Sequence, residues 1–284
     1  EHVGQLMKLV VSNLAKQSVH FSEETLELHQ SGVECLTVTS DGKYLLSGGC
    51  DANIKIFDLE SNRLEGTLKG HKDAVKAIAV SVDNMLIISG SVDCTIKIWN
   101  LDSYHLEMTI KAHAEAIRAV ALSPDGRYAF SASQDKSVKV WDLVTREECA
   151  ELNGHNDYVL ALAVSNDGKH FMSGGGDKTI NVFNAESFKF ERVLSGHQAA
   201  VLCLAVTPTG HRLLSGGRDN SVICWDFLTG TTHFKIDAHE AKICSIAISL
   251  DGRKFATGSE DNSIKLWDMS GRALEESLKG HQLA

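Results

Sequence analysis

Seven histidines, His29, His71, His113, His155, His197, His239 and His281, stand 42 residues apart with no insertion or deletion between any two. Spacing that strict requires one structural unit used repeatedly, each copy stacked on the next. Each of the first six histidines is followed by a Ser or Thr at 18 residues, an Asp at 22 and a Trp or Phe at 28.

The interior of the unit decides its type. In the second copy, Val75 to Val80 is an apolar run, Asp83-Asn84 a turn and Met85 to Ser89 a strand. Asp93 then marks a second turn, Thr95 to Trp99 alternates as a strand, and Leu106 to Lys111 is the fourth. The first turn recurs as Asp41-Gly42, Asp125-Gly126, Asp167-Gly168 and Asp251-Gly252, with Thr209-Gly210 the loosest copy. Asp-Gly suits a tight hairpin in which both central residues take positive φ. Helical repeats need segments of about ten residues or more, and these units break into strands of about five. Four short strands per unit predict an all-β propeller of four-stranded antiparallel blades.

The units resemble the WD-repeat β-propeller family, through Gly-His at the start and Trp-Asp at the end of the third strand. Trp141-Asp142, Trp225-Asp226 and Trp267-Asp268 carry the full signature; Trp99-Asn100, Phe57-Asp58 and Phe183-Asn184 depart from it. The resemblance covers 24–284, with blades at about 29–70, 71–112, 113–154, 155–196, 197–238 and 239–280 and the start of a further repeat at 281–284. Residues 1–23 lie outside the repeat and read as an amphipathic helix or a strand of a partial blade. Glu24 to His29 matches the last strand of a unit. The resemblance therefore implies six complete blades here and seven in the intact protein, within a larger polypeptide, with a closed six-blade ring as the alternative.

Composition narrows the function. A net charge of −9 argues against broad attraction to nucleic acid or to an anionic membrane. No apolar run approaches the length of a membrane-spanning helix, so no membrane insertion is expected. The seven cysteines form no Cys-x-x-Cys pair and are odd in number, which gives no spacing support for zinc or a disulfide framework. They read as packing thiols in a reducing setting, so an intracellular, more cytoplasmic than nuclear, location is expected.

His, Ser and Asp in register suggest a hydrolase triad, but six copies of one constellation would mean six identical active sites, and Gly-x-Ser-x-Gly is absent. The resemblance implies instead that the Trp indole donates to the Ser hydroxyl, which meets the His, which meets the Asp. The sets with an indole are His71/Ser89/Asp93/Trp99, His113/Ser131/Asp135/Trp141, His197/Ser215/Asp219/Trp225 and His239/Thr257/Asp261/Trp267. His29/Ser47/Asp51 and His155/Ser173/Asp177 precede Phe57 and Phe183 and lack that donor. Blades one and four are therefore expected to be the weaker pair. The Gly-rich stretch at 173–177 lacks the Lys-Ser/Thr of a phosphate loop. No catalytic residue, metal or cofactor is expected.

Function must then sit where the copies differ. By family analogy three positions per blade project to the face around the central channel: three and five residues after the His, and the residue before the Asp. These gather Tyr158, Leu160 and Leu202 into an apolar centre on blades four and five, with Gln134 nearby and Lys76, Arg118, Arg218 and Lys242 around it. A rigid aromatic among guanidinium groups is a frequent interface anchor. The expected partner is another protein, contributing a peptide or loop that is apolar and acidic or phosphorylated. The competing class is a propeller enzyme, for which only Glu34 and Glu260 supply carboxylates around the channel.

Overall fold

The computed structural model describes residue 26, residues 28–270 and residues 273–279. Residues 1–23, Glu24, Thr25, Glu27 and the repeat start at 281–284 lie outside the described residues, as do the expectations placed on them. The described residues form 24 strands in six four-stranded sheets, each an antiparallel meander in chain order. In the second blade the strands are Val75–Val80, Leu86–Ser91, Thr95–Asn100 and Leu106–Lys111. No described helix is long and apolar enough to cross a membrane.

The inner strands show why the sheets assemble radially. Val33–Val38, Val75–Val80, Ile117–Leu122, Val159–Val164, Val201–Val206 and Ile243–Ile248 each pack along the next. Each blade shows one apolar face to its successor. Leu46, Ile54, Ile56 and Leu68 of the first blade, for example, meet Val75, Ile78, Ile87 and Trp99 of the second. A fully buried aliphatic side chain contributes roughly 1.5–3 kcal/mol, so these faces hold the fold together. Blades approach closely enough that a Cβ on Gly90 would lie 2.5 Å from Ile117 of the third blade.

Among the described residues, no such packing joins Ile243–Ile248 back to Val33–Val38. Side chains on the two sides of this seam record the difference. Val75, Ile117, Val159, Val201 and Ile243 are fully buried, whereas Val33 is half-buried. Ile54, Ile96, Val138, Ile180 and Val222 are buried on the opposite face of their blades, whereas Ile264 is half-buried.

The first hairpin departs from the sequence expectation. Gly42, Gly126, Gly168, Gly210 and Gly252 take positive φ, and Asn84 does so in the second blade, but the preceding Asp residues do not. The loop is wider than a two-residue hairpin: Gly42 N–H donates to Thr39 O and Thr39 N–H to Tyr44 O. One left-handed residue is enough to close it. The Asp serves through its side chain, Asp41 accepting from Thr39 Oγ1 at 2.5 Å and from Lys43 N at 3.0 Å.

Candidate functional site

Two sets of residues are repeated from blade to blade, one inside each blade and one at the bulged start of each inner strand and the turn bonded to it. Inside the second blade, Trp99 Nε1 donates to Ser89 Oγ at 2.9 Å, Ser89 Oγ lies 2.8 Å from His71 Nε2, and His71 Nδ1 lies 2.9 Å from Asp93. The same chain runs through Trp141, Ser131, His113 and Asp135, through Trp225, Ser215, His197 and Asp219, and through Trp267, Thr257, His239 and Asp261. In the first and fourth blades it stops at the hydroxyl: Ser47–His29–Asp51 and Ser173–His155–Asp177 are assembled, with Phe57 and Phe183 where the indole would be.

One tautomer satisfies every atom of this chain: Nδ1–H donates to the carboxylate, and the hydroxyl donates to Nε2 while accepting from the indole. Burial pushes His71, His113, His197 and His239 below the usual imidazole pKa despite the Asp partner, so the ring is held neutral. Burial alone would raise Asp93. The donors Thr95 Oγ1, Lys72 N–H and His71 outweigh it and hold the carboxyl at about 2. A neutral His beside a carboxylate, with a Ser already accepting an indole N–H, is a saturated set with no lone pair aimed at a substrate.

The second set owes its position to an irregularity repeated six times. Each inner strand carries a bulge against its neighbour, and the residue it leaves unpaired is the fifth after the His: Glu34, Lys76, Arg118, Leu160, Leu202 and Cys244. A bulge re-aims a side chain out of the strand alternation, so these six leave the regular inner-strand pattern at the same place in every blade. The other two positions of each blade are clasped together. Cys50, Val92, Gln134, Gly176, Arg218 and Glu260 donate their backbone N–H to the carbonyls of Gly32, Ala74, Ala116, Tyr158, Ala200 and Lys242, at 2.8–3.2 Å. Ala74 and Ala116 are buried, while Tyr158 and Arg218 are exposed and Leu160, Leu202, Gln134 and Arg118 half-buried.

The charges on this face are unequally free. Lys76 Nζ lies 2.7 Å from Glu34, which also accepts from Cys50 Sγ at 2.9 Å, and Lys242 Nζ lies 2.6 Å from Glu260. Burial would raise the Glu34 carboxyl, but the Cys50 and Lys76 bonds and the charges of Lys76 and Arg118 hold it below its usual range. Burial, then the Glu34 contact, push the Cys50 thiol up to about 11. Arg118 and Arg218 form no ion pair or hydrogen bond through their side chains among the described residues. The cationic rim read from the sequence thus separates into two neutralised lysines and two uncommitted arginines. Opposite charges at the same repeat position of neighbouring blades, Glu34 and Lys76, are the sequence signal for such pairing.

A family model described as "WD domain, G-beta repeat" matches residues 22–58, 62–100, 105–142, 146–184, 188–226 and 230–268. A search of curated proteins returned no match.

Proposed function

The chain belongs to the WD-repeat β-propeller family, whose domains generally serve as protein-interaction scaffolds, and from that premise we propose that this one is a non-catalytic adaptor binding a peptide or loop of partner proteins on the face around its channel. The observation that supports this reading is the bulge in every inner strand, which turns the residue five after each His, a position that differs from blade to blade, out of the strand pattern at the same place in each blade. Tyr158 stands 44% exposed, two residues from the half-buried Leu160, with Leu202 half-buried at the matching position of the next blade, an amphipathic ring offered to solvent. Arg118, Arg218 and Gln134 supply polar contacts around it, which fits a partner segment with apolar anchors and acidic or phosphorylated side chains. Lys76 and Lys242 shape the rim through their bonds to Glu34 and Glu260.

In this reading the His, Ser, Asp and Trp of each blade are bracing. They tie the third strand through the second to the segment entering the blade, and a satisfied buried network rigidifies its surroundings. The enzyme alternative finds little support at Glu34 and Glu260, each bonded to its own lysine rather than sharing a proton with the other.

The test is Tyr158→Ala, with Arg118→Ala beside it, assayed by recovery of native partners. Loss of about 2 kcal/mol or more of binding, a drop of about thirtyfold, is expected of a central aromatic anchor. Full partner recovery by folded variants would remove the site assignment.

A further inference from the structure

The fourth strand of every blade carries a bulge of its own against the third, and the residue it leaves unpaired is, in chain order, Glu65, Glu107, Cys149, Glu191, His233 and Glu275. In the fourth and sixth blades this acid reaches the first residue of the second strand: Glu191 lies 3.5 Å from His170 Nε2, and Glu275 lies 2.7 Å from Lys254 Nζ. The fifth blade breaks that pairing. Its second strand, Arg212–Gly217, begins with an arginine, and the bulge of its fourth, Thr231–Asp237, offers an imidazole in place of the acid. Arg212 forms no ion pair or hydrogen bond through its side chain among the described residues. Here a cavity of about 520 Å³ opens between the fifth and sixth blades, with Arg212, His211 and His233 on its wall together with Thr209, Asp226 and Met269. It lies beyond the end of the inner strand Val201–Val206, whereas the bulge at Leu202 marks that strand's beginning, so it is at the other end of the blade from the proposed docking face.

We propose that this cavity binds the carboxylate of a small organic acid, which takes the place that Glu191 and Glu275 fill in the neighbouring blades. The guanidinium of Arg212 offers paired N–H donors whose spacing matches the two oxygens of a carboxylate. His211 and His233 stand on the same wall as further N–H donors. The volume is that of a small-molecule site, about 300–1,000 Å³, and Met269 gives the apolar part of the acid a surface to lie on. Asp226 sets the charge of the ligand. Its Oδ1 accepts from Thr229 N at 2.9 Å and Leu228 N at 3.0 Å, and these bonds, the Thr229 one first, hold its carboxyl below the usual range, so it brings a fixed negative charge to the wall. A dianion such as phosphate would be repelled by it about twice as strongly as a single carboxylate. Among the described residues no group of three or more His, Cys, Asp or Glu is placed to hold a metal ion, and an anion is the ligand class these side chains suit.

The test follows the imidazole C–H signals of His211 and His233 by NMR in the 284-residue chain as sodium acetate replaces sodium chloride at constant ionic strength. Both signals should shift together and saturably, with His211→Gln and His233→Gln assigning them. Arg212→Gln should weaken acetate binding about tenfold or more, through the loss of charge-assisted hydrogen bonds. His233→Glu should close the site, since it restores to the fifth blade the acid that four other blades carry at this bulge and gives Arg212 an internal partner. The sixth blade already uses that arrangement, so the variant should unfold at the parent's temperature or above it while acetate no longer moves His211. Inorganic phosphate should bind more weakly than acetate. Silent imidazole signals, acetate binding that survives Arg212→Gln or a folded His233→Glu, or phosphate binding tighter than acetate, would each overturn the proposal.

Discussion

The first and fourth blades share one departure from the repeat and meet it differently. Phe57 and Phe183 both stand where the other blades place the indole that donates to the Ser hydroxyl. In the fourth blade the lost hydrogen bond is offset by aromatic packing. Phe183 stacks on Phe171 with centroids 4.9 Å apart and planes at 10°, Phe171 meets Phe130 of the third blade at 4.5 Å, and Phe190 approaches Phe183 edge-on at 6.0 Å. Such pairs add about 0.5–1.5 kcal/mol each beyond their burial. Phe57 is buried too, but lies opposite Leu45 and, among the described residues, outside the main apolar clusters, on the blade beside the seam. An absent donor therefore costs little in the middle of the arc and more at its end. The two blades read from the sequence as one weak pair separate into a compensated and an uncompensated one.

Removing the compensation should give the largest effect. Phe171→Ala takes the central ring from the stack and leaves Phe130 and Phe183 facing a cavity, at a cost of about 3–5 kcal/mol. A urea midpoint within error of the parent would show that the stack does not substitute for the indole. The next effect compares bracing with and without the indole. Ser89→Ala strands two buried groups, Trp99 Nε1–H and His71 Nε2, and Ser47→Ala strands only His29 Nε2. At about 1–3 kcal/mol per orphaned group, Ser89→Ala should be the more destabilising by one such group. Equal losses in thermal unfolding would mean that the indole bond adds nothing.

Acid probes the same bracing without a mutation. His71, His113, His197 and His239 have folded pKa values depressed below 6.5, so the folded state binds fewer protons than the unfolded chain. Their stabilisation is complete above 6.5 and is lost as pH falls from there toward the depressed values. A second loss follows between 3.8 and about 2, where Asp93 and Asp261 take up protons. A melting temperature flat from neutral pH to about pH 5 would contradict a neutral, buried ring.

The distance between sequence and structure has physical causes. Strands, blade order and the His–Ser–Asp register were legible because period-2 patterning and a fixed repeat are local properties written in one chain. The hairpin at Asp41-Gly42 departs from the two-residue type its residues suggest, since Asp-Gly suits both a two-residue turn and a wider one, and only hydrogen bonds such as Thr39 N–H to Tyr44 O distinguish them. Bulges leave no residue signature, so the common placement of Glu34, Arg118 and Leu160 could be taken only by analogy. Which cations are free was hidden for another reason: Lys76 reaches Glu34 across a blade boundary, 42 residues away in the chain. The stack at Phe171 likewise draws on Phe130, 41 residues earlier, and no single repeat contains it.

The smallest predicted effect is the sharpest test of the contrast between the blades, because it restores the missing donor in both. In the fifth blade Trp225 stands opposite Leu213 and reaches Ser215 at 2.8 Å, so a Leu opposite an indole is already accommodated by this architecture. Phe57 faces Leu45 in the same register, with Ser47 at the corresponding place. Phe57→Trp should therefore complete the first blade's network and stabilise the protein by about 1 kcal/mol, the net worth of one hydrogen bond. Phe183→Trp meets different conditions. Its stack on Phe171 is closer, at 4.9 Å, than the 6.0 Å between Phe255 and Trp267 in the sixth blade, and Phe190 closes the other side. Enlarging a ring in a packed stack costs about 1–3 kcal/mol, which cancels or exceeds the hydrogen bond gained. Thermal unfolding of the two variants should thus move in opposite directions, or the second not at all. A gain of the same size in both would mean that aromatic packing never stood in for the indole in the fourth blade.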